Sequence, residues 1–295
     1  MKLTTNVIFT LSALLACAPS HAQIFTFTRE QMIKYTANNP FDRFEDGRPK
    51  APDALLDKVR DLSAEEVWAV LPGAKFPNQY EGNWNILHPE KKLVGRAVTV
   101  QFMPYRPDLM EVTEADAKAR GVGRIAQHQR VIDKLQPGDV FVVDLFGKID
   151  QGTIVGDNLA TAIFAATKTG GLVVDGAVRD LEGIFPIGMP VYSRGAHPAA
   201  LGNVILTAVN TPIRIGNATV MPGDIVFGDR EGVYFIPPSQ LKTVLEKAEI
   251  THIHDEWTKQ KLLTGKYKSS DIYSRPSDPA LLKEYEDYLK QKLGK

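Results

Sequence analysis

The adjacent residues Arg179 and Asp180 are the part of the sequence best suited to chemistry. An Arg guanidinium offers planar donors that match a carboxylate, and an Asp carboxylate is a ligand that Mg²⁺ or Mn²⁺ prefers. Side by side, the two would suit a metal that holds an anionic substrate. Asp175 and Gly176 precede them and are expected to shape a turn. An isolated Arg-Asp dipeptide is usually an ordinary surface ion pair. Whether this pair forms a binding site depends on the elements that position it.

Two buried strands and a helix are predicted around this pair. The runs 140–144 and 172–175 are rich in β-branched residues, which is typical of buried strands. Between them, Asp157 is a good N-cap for a helix over residues 158–168, which a double Gly then ends. This order predicts a right-handed crossover, and ligands of such units gather at the carboxyl ends of strands, near free helix amides. Asp157 and the 179–180 pair both fall at such ends, which favours a binding site.

Several stretches, taken together and in order, resemble one protein family. They are Leu-Val-Gly-Arg-Ala-Val-Thr-Val at 93–100, Gly-Asp-Asn-Leu at 156–159, Val-Val-Asp-Gly-Ala-Val-Arg-Asp at 173–180, Ser-Arg-Gly at 193–195 and the Pro-Gly-Asp-containing run 222–233. The family contains the class II 4-hydroxy-4-methyl-2-oxoglutarate aldolases and the regulator of ribonuclease activity A. The resemblance covers roughly residues 60–270.

The resemblance implies an α/β fold, a layered β/β/α sandwich of the swivelling-domain type with helical N- and C-terminal additions. It also implies a homotrimer or a dimer of trimers with active sites between subunits. Periodicity alone predicts only a single α/β domain with terminal additions. The expected divisions are a signal peptide over 1–22, an N-terminal extension over 23–60, an aldolase-like domain over 61–250 and a C-terminal helical extension over 251–295. Strands over 204–208, 211–215 and 232–236 are expected to form a second layer.

The resemblance also implies a reaction, the cleavage of a carbon–carbon bond in a small 2-oxo acid through a pyruvate enolate. Asp180 would be the direct protein ligand of a Mg²⁺ or Mn²⁺ ion that acts as a Lewis acid. Arg179 would bind the keto-acid oxygens and stabilise the enolate charge. Asp157 would hold or activate a metal-bound water that moves the proton of a 4-hydroxyl group. The backbone amides of Asn158 and Leu159 would hold the substrate carboxylate.

Glu256 is the candidate for a further metal ligand. It precedes a Lys-containing stretch that ends at Gly265 and aligns with a glutamate that a neighbouring subunit brings near the metal in the family's aldolases. A solvated helix carboxylate is the alternative interpretation. His252 and His254 stand close by, but residues two apart point to different faces of a helix. We therefore expect no histidine zinc site.

The N-terminal residues predict export. Lys2 precedes an apolar run over residues 7–18, and Ser20 and Ala22 place small residues at the two positions that determine cleavage. This is typical of a bacterial secretory signal peptide, and the apolar run is too short for a membrane span. The stretch Leu-Leu-Ala-Cys at 14–17 also fits a lipoprotein box with a lipid anchor at Cys17. A periplasmic protein is the expectation, and a lipoprotein is the alternative. Cys17 is the only cysteine, so no disulfide framework is expected.

Composition excludes some classes of function. The 295 residues are 43% hydrophobic and 24% charged, which is typical of a globular protein. A formal net charge of +0 without a basic stripe argues against nucleic-acid binding. The resemblance implies two classes of function, a metal-dependent lyase and a non-catalytic trimeric binding or regulatory protein of the cell envelope. The lyase is favoured because the ribonuclease-regulating members typically lack the Asp that follows the Arg.

Overall fold

A computed structural model describes residues 25–119 and 127–294, so the predicted signal peptide and Cys17 lie outside the described residues. The helices are α1 Arg29–Tyr35, α2 Asp53–Val59, α3 Ala64–Trp68, α4 Pro107–Ala119, α5 Gln127–Ile132, α6 Asp157–Thr167, α7 Leu181–Ile184, α8 Leu241–Leu263, α9 Ser269–Ile272 and α10 Pro279–Lys292. The strands are β1 Asp42–Arg43, β2 Pro49–Lys50, β3 Tyr80–Glu81, β4 Asn85–Ile86, β5 Leu93–Pro104, β6 Asp139–Val155, β7 Gly171–Val178, β8 Val191–Ala196, β9 Val204–Val209, β10 Ile213–Ile215, β11 Ala218–Val220, β12 Ile225–Gly228 and β13 Val233–Ile236. Within the described ranges, no helix is long and apolar enough to cross a membrane.

One large mixed sheet positions the candidate site. Its strand order is β3-β13-β12-β5-β6-β7-β8-β4, and β9 pairs with β5 beside this path. The four strands from β5 to β8 run parallel, and the strands outside them pair antiparallel. The carboxyl ends of β6 and β7 therefore lie at the same edge of the sheet. The α/β fold implied by the family resemblance is confirmed.

The two faces of the sheet bury different partners. On β5, Val94 and Val98 pack with residues of the helices, whereas Leu93 and Ala97 pack with the β10–β11 hairpin. This division follows from the two-residue period of a strand, which sends alternate side chains to opposite faces. Helices α2, α3, α5, α6 and α8 thus contribute to one layer, and the hairpin contributes to the other.

The predicted second layer is wrong for two of its three strands. Strand β9 pairs with β5 and strand β13 pairs with β12, so both belong to the main sheet. The strand predicted over residues 211–215 is observed as β10, which does form a separate hairpin with β11. An apolar alternation indicates a strand but does not indicate its partner, because strand pairing is set by contacts that are distant in the sequence.

The N-terminal extension packs into the core of the domain. The guanidinium of Arg48 donates to both carboxylate oxygens of Asp139 at 2.7 and 3.1 Å, and both side chains are buried. Arg96 in turn donates to the carbonyl of Ala51 and to the side chain of Asp53, at 2.6 and 2.7 Å. At the other end, the expected division between residues 250 and 251 falls inside helix α8, which runs across it without a break. The N-terminal addition is thus joined to the domain by buried contacts, and the C-terminal addition by a shared helix.

Candidate active site

The carboxyl ends of β6 and β7 bring the two predicted loops together. Strand β6 ends at Val155 and is followed by Gly156, whereas β7 ends at Val178 and is followed by Arg179. The amide of Arg179 donates to the carbonyl of Val155 at 3.0 Å. The residues after β7 are thus joined to the last residue of β6.

Arg179, Asp180 and Gly156 form the centre of the site. Nε of Arg179 lies 3.4 Å from Oδ2 of Asp180, and the two side chains are 39% and 43% exposed. A β-carbon built on Gly156 would stand 2.4 Å from Oδ2 of Asp180 and 3.1 Å from Nε of Arg179. Only a glycine therefore allows this close approach. The pair is held at one place while both charged groups still reach solvent.

Asp180 has an uncommon backbone conformation. Its φ of 57° and ψ of 43° lie in the left-handed region, which Asp and Asn tolerate better than other residues with a side chain. Its carbonyl accepts the amides of Gly183 and Ile184 at 2.9 Å, so it begins helix α7. Its carboxylate makes no capping bond to that helix. Such conformations are enriched at functional sites, and here the helix does not use the carboxylate.

Asp157 lies at the start of α6 and packs against α7. A β-carbon on Gly183 would stand 2.7 Å from Cβ and 2.8 Å from Oδ2 of Asp157. The predicted N-cap is wrong by one position, because Gly156 is the N-cap and Asp157 is already the first residue of the helix. Oδ1 of Asp157 accepts the amide of Asn158 at 2.7 Å. Leu159 is half-buried and packs against the core on the helix side of the sheet.

Asp175 and Gly176 lie within β7, so the turn predicted there is wrong. Asp175 is buried, and its Oδ1 accepts from Nε of Arg194 at 2.7 Å. Arg194 also donates to Oε1 of Glu81 at 2.7 Å and lies 3.8 Å from the ring centre of Trp84. Asp175 can continue the strand because Arg194 compensates its charge. The Ser-Arg-Gly motif at 193–195 contains this arginine, but its partners could not be identified from the sequence.

Glu256 lies on helix α8 and pairs with the C-terminal helix. Nζ of Lys292 lies 3.0 Å from Oε1 of Glu256, and this hydrogen bond holds the pKa of Glu256 below its ordinary value. None of the described contacts joins Glu256 to Arg179 or Asp180. Its role as a metal ligand from a neighbouring subunit stays a prediction.

The nearby histidines contact different partners. Nδ1 of His252 lies 3.5 Å from a carboxylate oxygen of Glu66, whereas the ring of His254 meets Tyr285 edge-on at 5.1 Å. Across residues 25–119 and 127–294, no group of three or more His, Cys, Asp and Glu side chains is arranged to hold a metal ion.

Asp180 and its surroundings fit a hard divalent cation that takes few protein ligands. Mg²⁺ commonly binds through one or two carboxylates and keeps several waters. Asp180 supplies an exposed carboxylate of this kind, which its own helix does not use as a cap. The neighbouring Arg179 would repel a cation, but it would also attract the anionic substrate that such a cation holds.

Comparison with known proteins identifies the family. A family model described as RraA-like, Aldolase/RraA, matches residues 71–235. The chain belongs to this family. The matched range includes both loops of the site and strand β4.

Curated relatives of this RraA-like chain match it over part of their length. A protein of Halalkalibacterium halodurans, provisionally named a 4-hydroxy-4-methyl-2-oxoglutarate aldolase, is 37% identical over 123 residues, which cover 41% of this chain and 56% of that protein. Protein DlpA of Legionella pneumophila is 32% identical over 175 residues, which cover 59% of this chain and 26% of that protein. The matches thus span about half or less of these relatives.

Solved structures show the same fold. RraAS2 of Streptomyces coelicolor, described as an unusual member of the RNase ES inhibitor RraA protein family, is 26% identical with a TM-score of 0.61, over 73% of this RraA-like chain and 100% of that chain. An uncharacterized protein of Pseudomonas syringae pv. tomato is 23% identical with a TM-score of 0.61, over 77% and 94%. The second likeness concerns the fold alone.

Proposed function

We propose that this RraA-like protein is a divalent-metal-dependent carbon–carbon lyase acting on a small 2-oxo acid. The reaction would be retro-aldol cleavage of a 4-hydroxy-4-methyl-2-oxoglutarate-type substrate, decarboxylation of oxaloacetate, or both. One observation carries the proposal, namely the exposed Arg179 and Asp180 side chains held against Gly156 where two loops meet. The aldolase names of curated relatives support the reaction type.

Arg179 and Asp180 would bind the substrate in different ways, Arg179 directly and Asp180 through the metal. Asp180 would hold Mg²⁺ or Mn²⁺, and when bound such a cation withdraws electrons from the carboxylate and 2-oxo oxygens. Arg179 would bind the same oxygens, because its planar donors match them in geometry. Negative charge moves onto the 2-oxo oxygen as the carbon–carbon bond breaks. The guanidinium would stabilise that charge in the transition state.

Asp157 would accept the proton in the retro-aldol reaction. The 4-hydroxyl group must lose its proton while it becomes a carbonyl, and a carboxylate placed near it can act as the general base. Decarboxylation of oxaloacetate has no such hydroxyl group. The two reactions should therefore depend on Asp157 to different extents.

The start of helix α6 would bind the substrate carboxylate. Helix N-termini attract anions through their free amides and the helix dipole. The amide of Asn158 donates to Oδ1 of Asp157, 2.7 Å away. A substrate carboxylate that takes this amide, together with that of Leu159, would release Oδ1 of Asp157 for proton transfer. Substrate binding would thus activate the base.

The test is pyruvate release from oxaloacetate and from 4-hydroxy-4-methyl-2-oxoglutarate, followed with Mg²⁺ or Mn²⁺ and again with a chelator. We expect release that stops on chelation and returns when metal is added. Release from neither substrate, or release that chelation does not affect, would contradict the proposal.

A non-catalytic binding or regulatory protein of the cell envelope is the second candidate. The likeness to RraAS2, whose description places it in an inhibitor family, is the observation that favours it. This candidate predicts a folded oligomer without turnover.

Sizing of the purified protein also tests the proposed homotrimer or dimer of trimers. Such an assembly would let Glu256 of a second copy reach the metal.

A further inference from the structure

A cavity lies where the N-terminal extension meets the main sheet. It has a volume of about 350 Å³, and residues 34–39, at the end of helix α1, form one side of it. Strand β11, the turn before β12 and the segment after β13 contribute to the other side. The first side lies outside the range that matches the RraA-like family. We call this cavity the extension pocket.

Asp224 is the most deeply buried polar residue of the extension pocket. It lines the pocket and is only 2% exposed. Its Oδ2 accepts the amide of Met221 at 2.8 Å. Within the described ranges, no other donor and no cation contacts the carboxyl of Asp224. One of its oxygens, Oδ1, therefore remains available to a ligand.

Gln79 supplies a second oxygen to the pocket. It is buried, and its Nε2 donates to the carbonyls of Phe235 and Thr219 at 2.6 and 3.4 Å. These two carbonyls take both N–H groups and so fix the orientation of the amide. Among the described residues, no donor contacts Oε1 of Gln79. Both buried polar side chains thus offer an acceptor, and a ligand has to bring the donors.

A second Pro-Gly-Asp turn in the chain shows which kind of group this carboxyl can hold. Oδ2 of Asp139 accepts the amide of Gln136 at 2.9 Å, just as Oδ2 of Asp224 accepts that of Met221. The carboxylate of Asp139 also binds the guanidinium of Arg48, at 2.7 and 3.1 Å. Asp224 faces a cavity in place of such a partner. The same turn therefore leaves a position for a guanidinium or ammonium group.

The walls of the pocket suit the apolar part of such a cation. The rings of Tyr35 and Phe76 line it, together with Met221 and Pro237. Aromatic faces attract cations, and apolar walls favour an apolar group that leaves water. The ring of Phe27 stacks on that of Tyr35 with the centres 5.0 Å apart, which fixes this wall. The pocket thus combines apolar walls with a few polar groups, as is usual for small-molecule sites.

The cations around the pocket do not compensate Asp224. Lys34 lines the pocket but is exposed, and Arg214 is exposed on the neighbouring strand β10. Arg43 donates to the side chain and the carbonyl of Thr36, both at 2.7 Å. Water and salt screen exposed charges far more than buried ones. Their repulsion of a ligand cation should therefore be weaker than its attraction to the buried carboxylate.

We propose that the extension pocket binds a small organic cation whose ammonium or guanidinium group pairs with Asp224 and donates to Gln79. The apolar part of the ligand lies against Tyr35 and Phe76. Burial raises the pKa of Asp224 to about 7, so below this pH its carboxyl carries a proton in the free protein. A bound cation displaces that proton to the solvent. Binding therefore weakens as pH falls.

Calorimetry on the full protein tests the proposal with three probes that share a benzyl group. Benzylamine carries an ammonium, benzylguanidine carries a guanidinium, and benzyl alcohol carries no charge. In phosphate buffer at pH 8, we expect at least one of the two cations to bind at least about tenfold more tightly than the alcohol. The tighter cation identifies the group that the pocket prefers. Its binding should weaken about tenfold from pH 8 to pH 6, whereas binding of the alcohol should not change.

Two variants show whether the pocket causes this preference. Asp224→Asn keeps an acceptor for Met221, and it should bind the cations no better than the alcohol. Thr219 is exposed and lines the pocket, so Thr219→Trp should obstruct it without disturbing the core. Asn217→Trp is the matched control, because Asn217 is exposed in the same hairpin but does not line the pocket. Thermal denaturation without a probe checks that each variant is folded.

The outcomes do not depend on the proposed lyase reaction, because the measurements need neither a divalent metal nor a 2-oxo acid. Equal binding of the cations and the alcohol at pH 8 would overturn the inference. Cation binding that Asp224→Asn leaves unchanged would overturn it as well. The same holds if Thr219→Trp and Asn217→Trp bind the cations equally well.

Discussion

Gly156 lies so close to Asp180 that a β-carbon on the glycine would stand 2.4 Å from a carboxylate oxygen. The two residues are 24 positions apart in the chain, at the ends of neighbouring parallel strands. This contact brings the loop that begins α6 against the loop that begins α7. The geometry of the candidate site therefore depends on residue 156 being a glycine.

Replacement of this glycine should damage the site more than the fold. In Gly156→Ala, the new methyl group must displace the carboxylate of Asp180, while the φ of −109° suits any residue. We expect pyruvate release to fall about 10²-fold, because misplacement of a reacting group by about 1 Å has that effect. The loss of an N-cap glycine should lower the free energy of unfolding by only about 1 kcal/mol. Steady-state kinetics and thermal denaturation measure the two effects.

Gly73→Ala is the matched control for this substitution. A β-carbon on Gly73 would meet its nearest neighbour, the carbonyl of Val70, at an ordinary 3.7 Å. Its kinetics should equal those of the unmodified protein. Equal activity in the Gly156 and Gly73 variants would show that the close approach to Asp180 is unimportant.

Asp157→Asn should separate the two reactions of the site. The amide has the size of the carboxylate and keeps the packing against Gly183, but it cannot accept a proton. We expect retro-aldol cleavage to fall about 10²- to 10⁴-fold, which is the usual contribution of a general base. Oxaloacetate decarboxylation should change little. A parallel loss of both reactions would mean that Asp157 is not specifically the base for the hydroxyl group.

Arg194 should stabilise the fold through Asp175 and Glu81. In Arg194→Ala, these two carboxylates lose the cation that lies 2.7 Å from each of them. Removing one partner of a buried ion pair leaves an uncompensated charge, and we expect a loss of about 3 kcal/mol in the free energy of unfolding. Chemical denaturation provides the measurement.

Arg106→Ala is the comparison for Arg194→Ala. Arg106 pairs with Asp108 at 2.8 Å, but their side chains are 72% and 66% exposed. Water and salt screen an exposed pair of this kind, so we expect a much smaller loss of stability than in Arg194→Ala. Similar losses in the two arginine variants would argue against a structural role for the buried network.

The buried carboxyl of Asp224 should make stability depend on pH. Burial raises the pKa of Asp224 to about 7, although the amide of Met221, which donates to its Oδ2 at 2.8 Å, lowers it in part. In the unfolded chain the carboxyl ionises near pH 4. Between these pH values the native state keeps a proton that the unfolded state has released. The free energy of unfolding should therefore fall as pH rises from about 4 to about 7.

Asp224→Asn should remove this part of the pH dependence. The amide oxygen can still accept from Met221, and no proton is exchanged on unfolding. Denaturation of both proteins at pH 5 and pH 8 should show a smaller stability difference in the variant. The same difference in both proteins would mean that Asp224 is ionised in the native state at the lower pH.

Local patterns predicted several elements of the fold closely. The helix expected over residues 158–168 is observed as α6, Asp157–Thr167, and the apolar runs beginning at 140 and 172 lie within β6 and β7. These predictions succeeded because helix ends and buried strands depend on nearby residues. Periodicity alone already predicted an α/β domain, and the family motifs added the expected arrangement of its layers.

Features that depend on distant partners could not be predicted. Strand β7 continues through Asp175 because Arg194, on the next strand, neutralises the carboxylate. Likewise, the N-terminal extension enters the core through the ion pair between Arg48 and Asp139, which are 91 residues apart. Charged residues usually indicate surface or turn, so only the paired contacts explain their burial.

The central claim is that Asp180 holds the metal with which the site works. Asp180→Asn tests it most directly, because asparagine tolerates the left-handed backbone and fills the same volume. We predict that this variant folds normally, loses Mn²⁺ binding by calorimetry and releases pyruvate from oxaloacetate at least about 10²-fold more slowly. Metal-dependent release at the unmodified rate would contradict the account.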